Sequence, residues 1–380
     1  MTAGDLHRVA VVGGGLVGGS FAAAVRARGA ARVTVTDAEA SVRKRLAALG
    51  LADRVAPTVA GAVGDADLVV VATPAQVVPE VIEQVAEHAP PDAILTDVAS
   101  LKYHLILNVE SRLTLRSGGP HRFVGGHPMA GSERSGPDAA DPELFAAATW
   151  ILTPSAITDD EILRRLAAFL RSLGARVLAL PAERHDELVA LVSHLPQVVA
   201  SVLADVAGDA VDTVGEAVLA VAGGGFRDTT RIAASDPALW LGILTGNREA
   251  VLEALDAFTA RLGTLRTALD RGQDAELRAV LSRASAARRR LVEKGAPGPA
   301  VDLVVGLADR PGSLAVATTA LGEAGINVED VAMRHAAEGR RGVLLVRIAA
   351  RDAERGRRAL HQRGLPVHLE EVDPGTAPRD

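Results

Sequence analysis

Short apolar runs, separated by stretches with helical spacing, dominate the first half of the chain. The runs lie at residues 8–12, 32–36, 67–73, 93–98, 149–152 and 176–180. Runs without polar alternation suit strands of a parallel sheet whose two faces are covered by helices. The sequence therefore predicts a doubly wound α/β domain over residues 7–180.

After Pro181 the strand pattern stops and long helical periodicity replaces it. Two stripes, with apolar residues three or four positions apart, lie at 188–206 and 251–269. This spacing builds seams between helices, within one chain or across a dimer, and we expect core packing for both stripes. The sequence predicts an all-helical domain over residues 181–294.

A Pro/Gly segment at residues 295–299 is typical of a linker and introduces a third region. Residues 300–372 have the pattern strand, helix, strand, strand, helix, strand. This order is typical of a ferredoxin-like βαββαβ unit.

Composition and charge restrict the class of protein. A chain of 380 residues predicts two or three domains, and its net charge of −6 disfavours nucleic acid as a partner. The lack of cysteine excludes disulfides and thiolate metal sites, and no other residues have metal-ligand spacing. No apolar run approaches the length of a membrane span and no targeting segment is evident, so we expect a cytoplasmic protein without a membrane partner.

The first strand runs directly into a glycine-rich turn that matches G-x-G-x-x-G, in which backbone approaches a pyrophosphate. An acid ends the second strand, where a carboxylate binds a ribose 2′-hydroxyl and repels a 2′-phosphate, although a turn or capping role would also fit. We therefore predict a Rossmann-type sheet that binds NAD. The candidate cofactor-binding residues are Gly13, Gly15, Leu16, Val17, Gly18, Asp37, Thr73 and Pro74.

Two further glycine-rich stretches contain polar side chains that could contact a ligand. His127 is the one histidine of Gly125–Gly136, which we expect to be a loop that brings backbone close to a ligand, although a plain surface loop would have the same composition. A triple glycine at 223–225, followed by Arg227 and Arg231, predicts a loop that meets an anion.

Together these motifs resemble the prephenate dehydrogenase family, whose members act in tyrosine synthesis. The likeness covers the nucleotide motif, Asp97–Lys102, Gly125–Gly136, Ser193–Gln197 and Gly223–Arg231 with Trp240. The resemblance implies NAD-dependent oxidative decarboxylation of prephenate to 4-hydroxyphenylpyruvate by a homodimer whose helical domain dimerises. The terminal βαββαβ unit is similar to an ACT domain, a regulatory fold that often binds amino acids.

The resemblance also assigns roles to single residues. The candidate catalytic residues are His127, which would take the proton of the substrate 4-hydroxyl, Ser100, which would orient His127, and Arg231, which would hold a carboxylate. An unperturbed histidine in this role would lose activity below about pH 6.5. The candidate substrate-binding residues are Ser132, Glu133, Ser193, His194, Gln197 and Trp240, the last reaching the partner subunit's substrate.

The third region has its own candidate ligand. A strand-to-helix turn there offers backbone N–H groups to an amino-acid carboxylate, and tyrosine is the expected effector. The candidate effector-binding residues are Asp309, Gly312, Ser313 and Asn327. A purely structural dimerisation module is the alternative for this region.

Three other functions fit part of the sequence. Arogenate dehydrogenase acts on the amino-acid analogue of prephenate, and Gln197 stands where some family members carry a second histidine, which leaves the substrate side chain open. A sensor that binds NAD or an amino acid without catalysis would not need Ser100, His127 and Arg231 together. A 3-hydroxyacid dehydrogenase would need a lysine in the helical domain, and residues 181–293 contain none.

Overall fold

The computed structural model describes residues 6–114, 119–131, 134–295, 300–308, 312–335 and 341–371. The chain divides into two units, residues 1–261 and 262–380, with the boundary inside a long helix.

An eight-stranded sheet forms the centre of the first unit. Its strands are β1 (Arg8–Val12), β2 (Arg32–Thr36), β3 (Arg54–Val55), β4 (Leu68–Val71), β5 (Ile94–Asp97), β6 (Phe123–Pro128), β7 (Thr149–Thr153) and β8 (Arg176–Ala179). They are ordered β3-β2-β1-β4-β5-β6-β7-β8, and neighbours run parallel except β6 and β7. The predicted Rossmann-type parallel sheet is confirmed, with one antiparallel pair that the sequence did not indicate.

Helices cover both faces of this sheet and bury its apolar strands. They are α1 (Leu16–Ala27), α2 (Ala40–Leu49), α3 (Val59–Val63), α4 (Val78–His88), α5 (Tyr103–Leu113) and α6 (Asp160–Ser172). On one face the ring of Phe21 lies 5.6 Å from that of Trp150 and 6.1 Å from that of Phe145, both close to edge-on. These aromatic contacts pack α1 against β7, so the glycine turn before α1 has a fixed position.

The remainder of the first unit is helical, as predicted. Its helices are α7 (Ala182–Val189), α8 (Leu195–Val214), α9 (Ala217–Ala220), α10 (Gly224–Thr230), α11 (Pro237–Gly246) and α12 (Arg248–Asp270), of which α12 crosses into the second unit. A π-helical turn, Ala190–His194, joins α7 to α8. Pro196 has no N–H to donate to the preceding turn and its ring crowds that turn, which explains why the helix widens here.

The prediction of a loop at 223–231 is wrong, because most of this segment forms helix α10. Gly223 is the N-cap, and Gly224 and Gly225 occupy the first helical turn. Backbone N–H groups in a first turn have no partner within the helix in any case, so glycine is tolerated there.

One apolar helical face is not buried within the chain. By length and hydropathy the stretch Ala182–Val214 could cross a membrane, which the sequence analysis did not anticipate. Val192, Val202 and Val206 are exposed by 62%, 56% and 60%. The expectation that this stripe packs in a core therefore holds for Val189 and Leu195, which are buried, and is wrong within one chain for the three exposed valines. A contiguous apolar face of this kind marks a surface that meets a partner.

The second unit contains helices and a four-stranded antiparallel sheet. Its elements after α12 are α13 (Asp274–Gly295), β9 (Ala300–Ala308), α14 (Ser313–Glu323), β10 (Val328–His335), β11 (Arg341–Ala349), α15 (Ala353–Gln362) and β12 (Val367–Glu371). The strand order is β10-β11-β9-β12, with all pairs antiparallel. This is the order of a ferredoxin-like βαββαβ unit, and its assignment as an ACT domain stays a prediction.

Candidate active site

The glycines of the turn between β1 and α1 have different functions. Gly13 has φ +102°, and a Cβ there would lie 2.4 Å from the carbonyl oxygen of Ala72. A Cβ on Gly18 would lie 2.0 Å from the carbonyl oxygen of Gly13, whereas one on Gly15 would meet nothing within 4 Å. Backbone packing thus requires Gly13 and Gly18, and the open space beside Gly15 leaves room for a ligand.

A cleft of about 670 Å³ opens beside this turn, at the carboxyl ends of the parallel strands. Gly13, Gly15, Asp37, Thr73 and Pro74 line it, as predicted for a dinucleotide site. Leu16, Val17 and Gly18 form the first turn of α1.

Two polar side chains of the cleft suit a dinucleotide. Asp37 accepts hydrogen bonds from the backbone N–H groups of Gly14, at 2.7 Å, and Glu39, at 2.9 Å. These contacts hold its carboxylate at the end of β2. The Thr73 hydroxyl oxygen is buried without a hydrogen-bond partner, so a bound polar group would satisfy it.

His127 lies on strand β6 rather than in a loop, which corrects the prediction for the start of Gly125–Gly136. A Cβ on Gly125 would lie 2.4 Å from the hydroxyl oxygen of Thr153, and one on Gly126 would lie 2.6 Å from the carbonyl oxygen of Asp97. The two glycines thus let β6 fit closely between β5 and β7. This places His127 at the same sheet edge as the nucleotide cleft.

A second histidine contacts His127. Nδ1 of His127 lies 2.9 Å from Nε2 of His185, which is fully buried on α7. Nδ1 of His185 lies 2.7 Å from Oδ1 of Asp186. Asp186 also accepts hydrogen bonds from the backbone N–H groups of Lys102, at 3.0 Å, and Tyr103, at 2.9 Å. The candidate base therefore ends a chain of polar contacts that begins at the N-terminus of α5.

A buried ion pair supports the other side of His127. The ammonium of Lys102 contacts Oδ2 of Asp97, and both side chains are fully buried. Asp97 also accepts the backbone N–H of Gly126 at 3.1 Å, through Oδ1. Burial lowers the pKa of Lys102 while Asp97 opposes that shift. The pair holds the backbone next to His127 and puts a positive charge near the imidazole.

The electrostatic surroundings keep His127 neutral. Burial, together with the positive charge of Lys102, holds the pKa of His127 well below its usual value of 6.5. A neutral imidazole with a free nitrogen can accept a proton at neutral pH, as a general base requires.

His194, predicted to bind substrate, is buried at the end of the π-helical turn. Nδ2 of Asn247 donates to the backbone carbonyl of Asp186 at 2.8 Å and lies 3.3 Å from Nδ1 of His194. Burial lowers the pKa of His194 to about 4, so it is neutral at neutral pH. Its ring lies edge-on to Trp240, with centroids 6.0 Å apart. Two predicted site residues are thus adjacent.

The side chain of Gln197 hydrogen-bonds to the backbone of Ile232, the residue after Arg231. Nε2 of Gln197 donates to the carbonyl oxygen of Ile232 at 3.0 Å, and Oε1 of Gln197 is buried without a partner. Arg231 begins the next helical turn and is exposed. Within the described ranges its guanidinium forms no ion pair, which leaves it available to an anion.

The remaining predicted residues are less informative. Ser100 is half-buried just after β5, and no hydrogen bond between Ser100 and His127 occurs in the described part of the chain, where His185 contacts the imidazole instead. Ser193 is half-buried in the π-helical turn. Ser132, Glu133 and Asp309 lie outside the described residues.

Three residues near His127, namely His185, Asp186 and Asn247, were not among those predicted from the sequence. His185 lies four residues before Val189, which belongs to the predicted apolar stripe, and both are buried. Extending that stripe backwards by one turn would have predicted a buried histidine followed by an acid. No comparable local signal marks Asn247, which precedes α12.

Comparisons with known proteins agree with this geometry. Residues 21–179 match the family model "Prephenate dehydrogenase, nucleotide-binding domain", and residues 181–283 match "Prephenate dehydrogenase, dimerization domain".

Individual relatives extend the match. Cyclohexadienyl dehydrogenase of Zymomonas mobilis is 37% identical over 69% of this chain and 88% of its own length. Prephenate dehydrogenase of Bacillus subtilis is 31% identical over 87% of this chain and 89% of its own length. The crystal structure of A. aeolicus prephenate dehydrogenase with hydroxyphenyl propionate and NAD+ has a TM-score of 0.68 and 30% identity, covering 76% of this chain and 99% of that one. The chain belongs to the prephenate dehydrogenase family, which confirms the resemblance drawn from its motifs.

Proposed function

We propose that the chain is an NAD-dependent dehydrogenase of tyrosine biosynthesis that converts prephenate oxidatively to 4-hydroxyphenylpyruvate and carbon dioxide. The observation that carries this proposal is a neutral histidine, His127, at the same sheet edge as a cleft suited to a dinucleotide. The relatives named prephenate dehydrogenase support the substrate, and the A. aeolicus structure with NAD+ supports the cofactor.

The residues of the site fit the chemistry of this reaction. When bound, NAD supplies the acceptor for the hydride that leaves C4 of prephenate. His127 takes the proton of the 4-hydroxyl as the C4–O bond becomes a carbonyl, and Arg231 holds a substrate carboxylate. Loss of carbon dioxide from the opposite ring carbon then makes the ring aromatic, and the carbonyl oxygen takes up a proton as phenol. Because aromatisation drives the reaction, the protein needs to supply orientation, a base and anion recognition.

Asp37 is the residue that we expect to select NAD. Its carboxylate, held at the end of β2 by the N–H groups of Gly14 and Glu39, retains lone pairs for a ribose hydroxyl. A 2′-phosphate at the same position would meet this negative charge, which disfavours NADP.

Arogenate is the second candidate substrate, and Gln197 favours it. Because Nε2 of Gln197 faces a carbonyl that can only accept, the orientation of the amide is fixed and Oε1 is left as an unsatisfied acceptor. Arogenate carries an ammonium, which donates, where prephenate carries a keto oxygen, which accepts. If the substrate side chain reaches Gln197, as the resemblance implies, the ammonium would satisfy Oε1.

We propose that the protein is a cytoplasmic homodimer. The support is the family match described as a dimerization domain, over residues 181–283, together with exposed Val192, Val202 and Val206 on the same helical stretch. Covering these side chains in a dimer would account for the apolar composition of 182–214. In that dimer Trp240 would contribute to the partner subunit's substrate pocket.

We further propose that residues 300–372 form an ACT domain that binds tyrosine. Gly312 has φ +89° and is the N-cap of α14, next to the half-buried Ser313. Asn327 is exposed after the end of that helix. A left-handed glycine before a helix leaves N–H groups of the first turn free for a carboxylate.

A matrix of two cofactors and two substrates tests the function. Purified protein is incubated with NAD or NADP and with prephenate or arogenate, and reduced cofactor and aromatic product are both quantified. We expect NAD to be preferred, with product formed from prephenate, arogenate or both. Failure to form 4-hydroxyphenylpyruvate or tyrosine under any condition would contradict the proposal. The Gln197→His variant is expected to lower the arogenate-to-prephenate ratio of kcat/KM.

A further inference from the structure

We propose that Asp186, acting through His185, fixes His127 as the tautomer with its proton on Nδ1, so that Nε2 is the atom that accepts the substrate proton. The identity of the substrate rests on the proposed function. The tautomer itself rests only on the contacts of the described residues.

The first step is the direction of the hydrogen bond at Asp186. Its carboxylate accepts two backbone N–H groups at the start of α5, from Lys102 and Tyr103. A carboxylate whose oxygens face N–H donors accepts their hydrogen bonds, and in its ionised form it has no proton to donate. The contact of 2.7 Å between Oδ1 and His185 therefore requires a proton on Nδ1 of His185.

The second step is the state of the other nitrogen of His185. A neutral imidazole carries one proton, so a protonated Nδ1 leaves Nε2 as an acceptor. His185 is fully buried, and a second proton would place a net charge on an imidazole that has no contact with water, which is unfavourable. Nε2 of His185 therefore has a lone pair to offer His127.

The third step transfers this constraint to His127. Nδ1 of His127 lies 2.9 Å from Nε2 of His185, so Nδ1 must carry the proton of that hydrogen bond. Nε2 of His127 is then unprotonated. The opposite tautomer would place two lone pairs against each other inside the fold and would present an N–H to the substrate hydroxyl. His185 and Asp186 are thus positioning residues, and of these three residues only His127 meets the substrate.

Asp186→Asn is the sharpest test because it exchanges donor and acceptor in the hydrogen bonds that link residue 186, His185 and His127. Oδ2 accepts both backbone N–H groups, from Tyr103 at 2.9 Å and from Lys102 at 3.4 Å, whereas Oδ1 accepts only that of Lys102, at 3.0 Å. We therefore expect the amide oxygen at the site of Oδ2, with the amide nitrogen at the site of Oδ1, where it donates to Nδ1 of His185. His185 then carries its proton on Nε2 and His127 carries its own on Nε2. We expect turnover to fall about 10²–10⁴-fold, the range of a lost general base, in a folded protein.

The spectroscopic measurement is the ¹⁵N signal of the His127 imidazole in uniformly histidine-labelled protein, without substrate. The signal is assigned by its loss in His127→Asn. In the wild type we expect a protonated Nδ1 and an unprotonated Nε2, and in Asp186→Asn the reverse. Glu187→Gln is the matched control, since it removes an exposed carboxylate from the same helix, and we expect wild-type turnover and tautomer.

A second pair of variants separates positioning from simple packing. The amide of His185→Gln can donate to Asp186 and accept from His127, whereas His185→Leu fills the space without polar atoms. We expect His185→Gln to retain turnover within about tenfold of wild type, and His185→Leu to match the loss in Asp186→Asn.

A wild-type His127 protonated on Nε2, or an Asp186→Asn variant with the wild-type tautomer, would overturn the inference. Equal activity in His185→Gln and His185→Leu would also overturn it. Failure of the proposed function is distinguishable, because a protein inactive on prephenate and arogenate would still show the expected wild-type tautomer.

Discussion

The two units of the chain differ in where they place polar side chains. All the buried polar and charged side chains among the described residues lie in the first unit, between residues 20 and 247. Among them are Asp97, Lys102, His185, Asp186 and His194, which form the surroundings of His127. The second unit has an apolar core, and its Arg347–Asp302 pair lies part-exposed across neighbouring strands.

The difference indicates which unit performs chemistry. Burying a polar group is unfavourable unless its hydrogen bonds are satisfied. A cluster of buried polar groups therefore indicates a site where those groups position reactive atoms. In the first unit, the buried Asp97, Lys102, His185 and Asp186 side chains hydrogen-bond to one another, to His127 or to nearby backbone N–H groups. The second unit has the simple core of a binding or structural module. If the units divide in this way, substitutions in the first unit will have the largest effects on turnover.

His127→Asn should give the largest loss. Asparagine is of similar size but cannot take up a proton, so we expect turnover to fall roughly 10²–10⁴-fold while substrate affinity changes little. Steady-state kinetics with the preferred substrate and saturating NAD provide the measurement. His121→Asn, which changes an exposed histidine next to β6, is the control. Near wild-type turnover in His127→Asn would place the base elsewhere.

Arg231→Ala should affect binding more than turnover. A charge-assisted contact to a carboxylate contributes about 1.5–3 kcal/mol, which corresponds to a KM raised by roughly 10- to 150-fold. Arg227→Ala is a matched control, because Arg227 is also exposed and lies on the adjacent helix α10. Equal effects of the two substitutions would indicate general electrostatic attraction rather than a specific contact.

The pH profile should distinguish a perturbed histidine from an ordinary one. An unperturbed histidine, as expected from the sequence, would lose activity through about pH 6.5, but the pKa of His127 is lowered by burial and by the charge of Lys102. Neutral His127 is the active form, so activity is retained below pH 6.5 and lost as pH falls through its lowered pKa. The measurement is kcat against pH, compared with the NMR titration of His127. An acid limb near 6.5 that follows the His127 titration would contradict the structure.

The contrast between local and distant contacts explains what the sequence could predict. The turn of Gly13 and Gly18 was predictable because the glycines, the strand and the helix are neighbours along the chain. The contact between His127 and His185 joins residues 58 positions apart and depends on how α7 packs against the sheet. No local pattern encodes that packing. The exposure of Val202 was equally unpredictable, because a helical stripe does not reveal whether its partner lies in the same chain.

The smallest effect on basal activity is expected from removing the βαββαβ region. Truncation after Glu293 retains the whole first unit, with every described contact of His127, and we expect turnover within about twofold of the full chain. If the region is a tyrosine sensor, the full chain is inhibited by tyrosine through a coupling of about 1–3 kcal/mol, and the truncated chain is not. Gly312→Val, at φ +89°, and Asn327→Ala should blunt inhibition without lowering basal turnover. The measurement is an inhibition curve with tyrosine for each of the four proteins. Inhibition retained after truncation would assign tyrosine to the active site, where it competes as a product or product analogue. The second unit would then have a structural role.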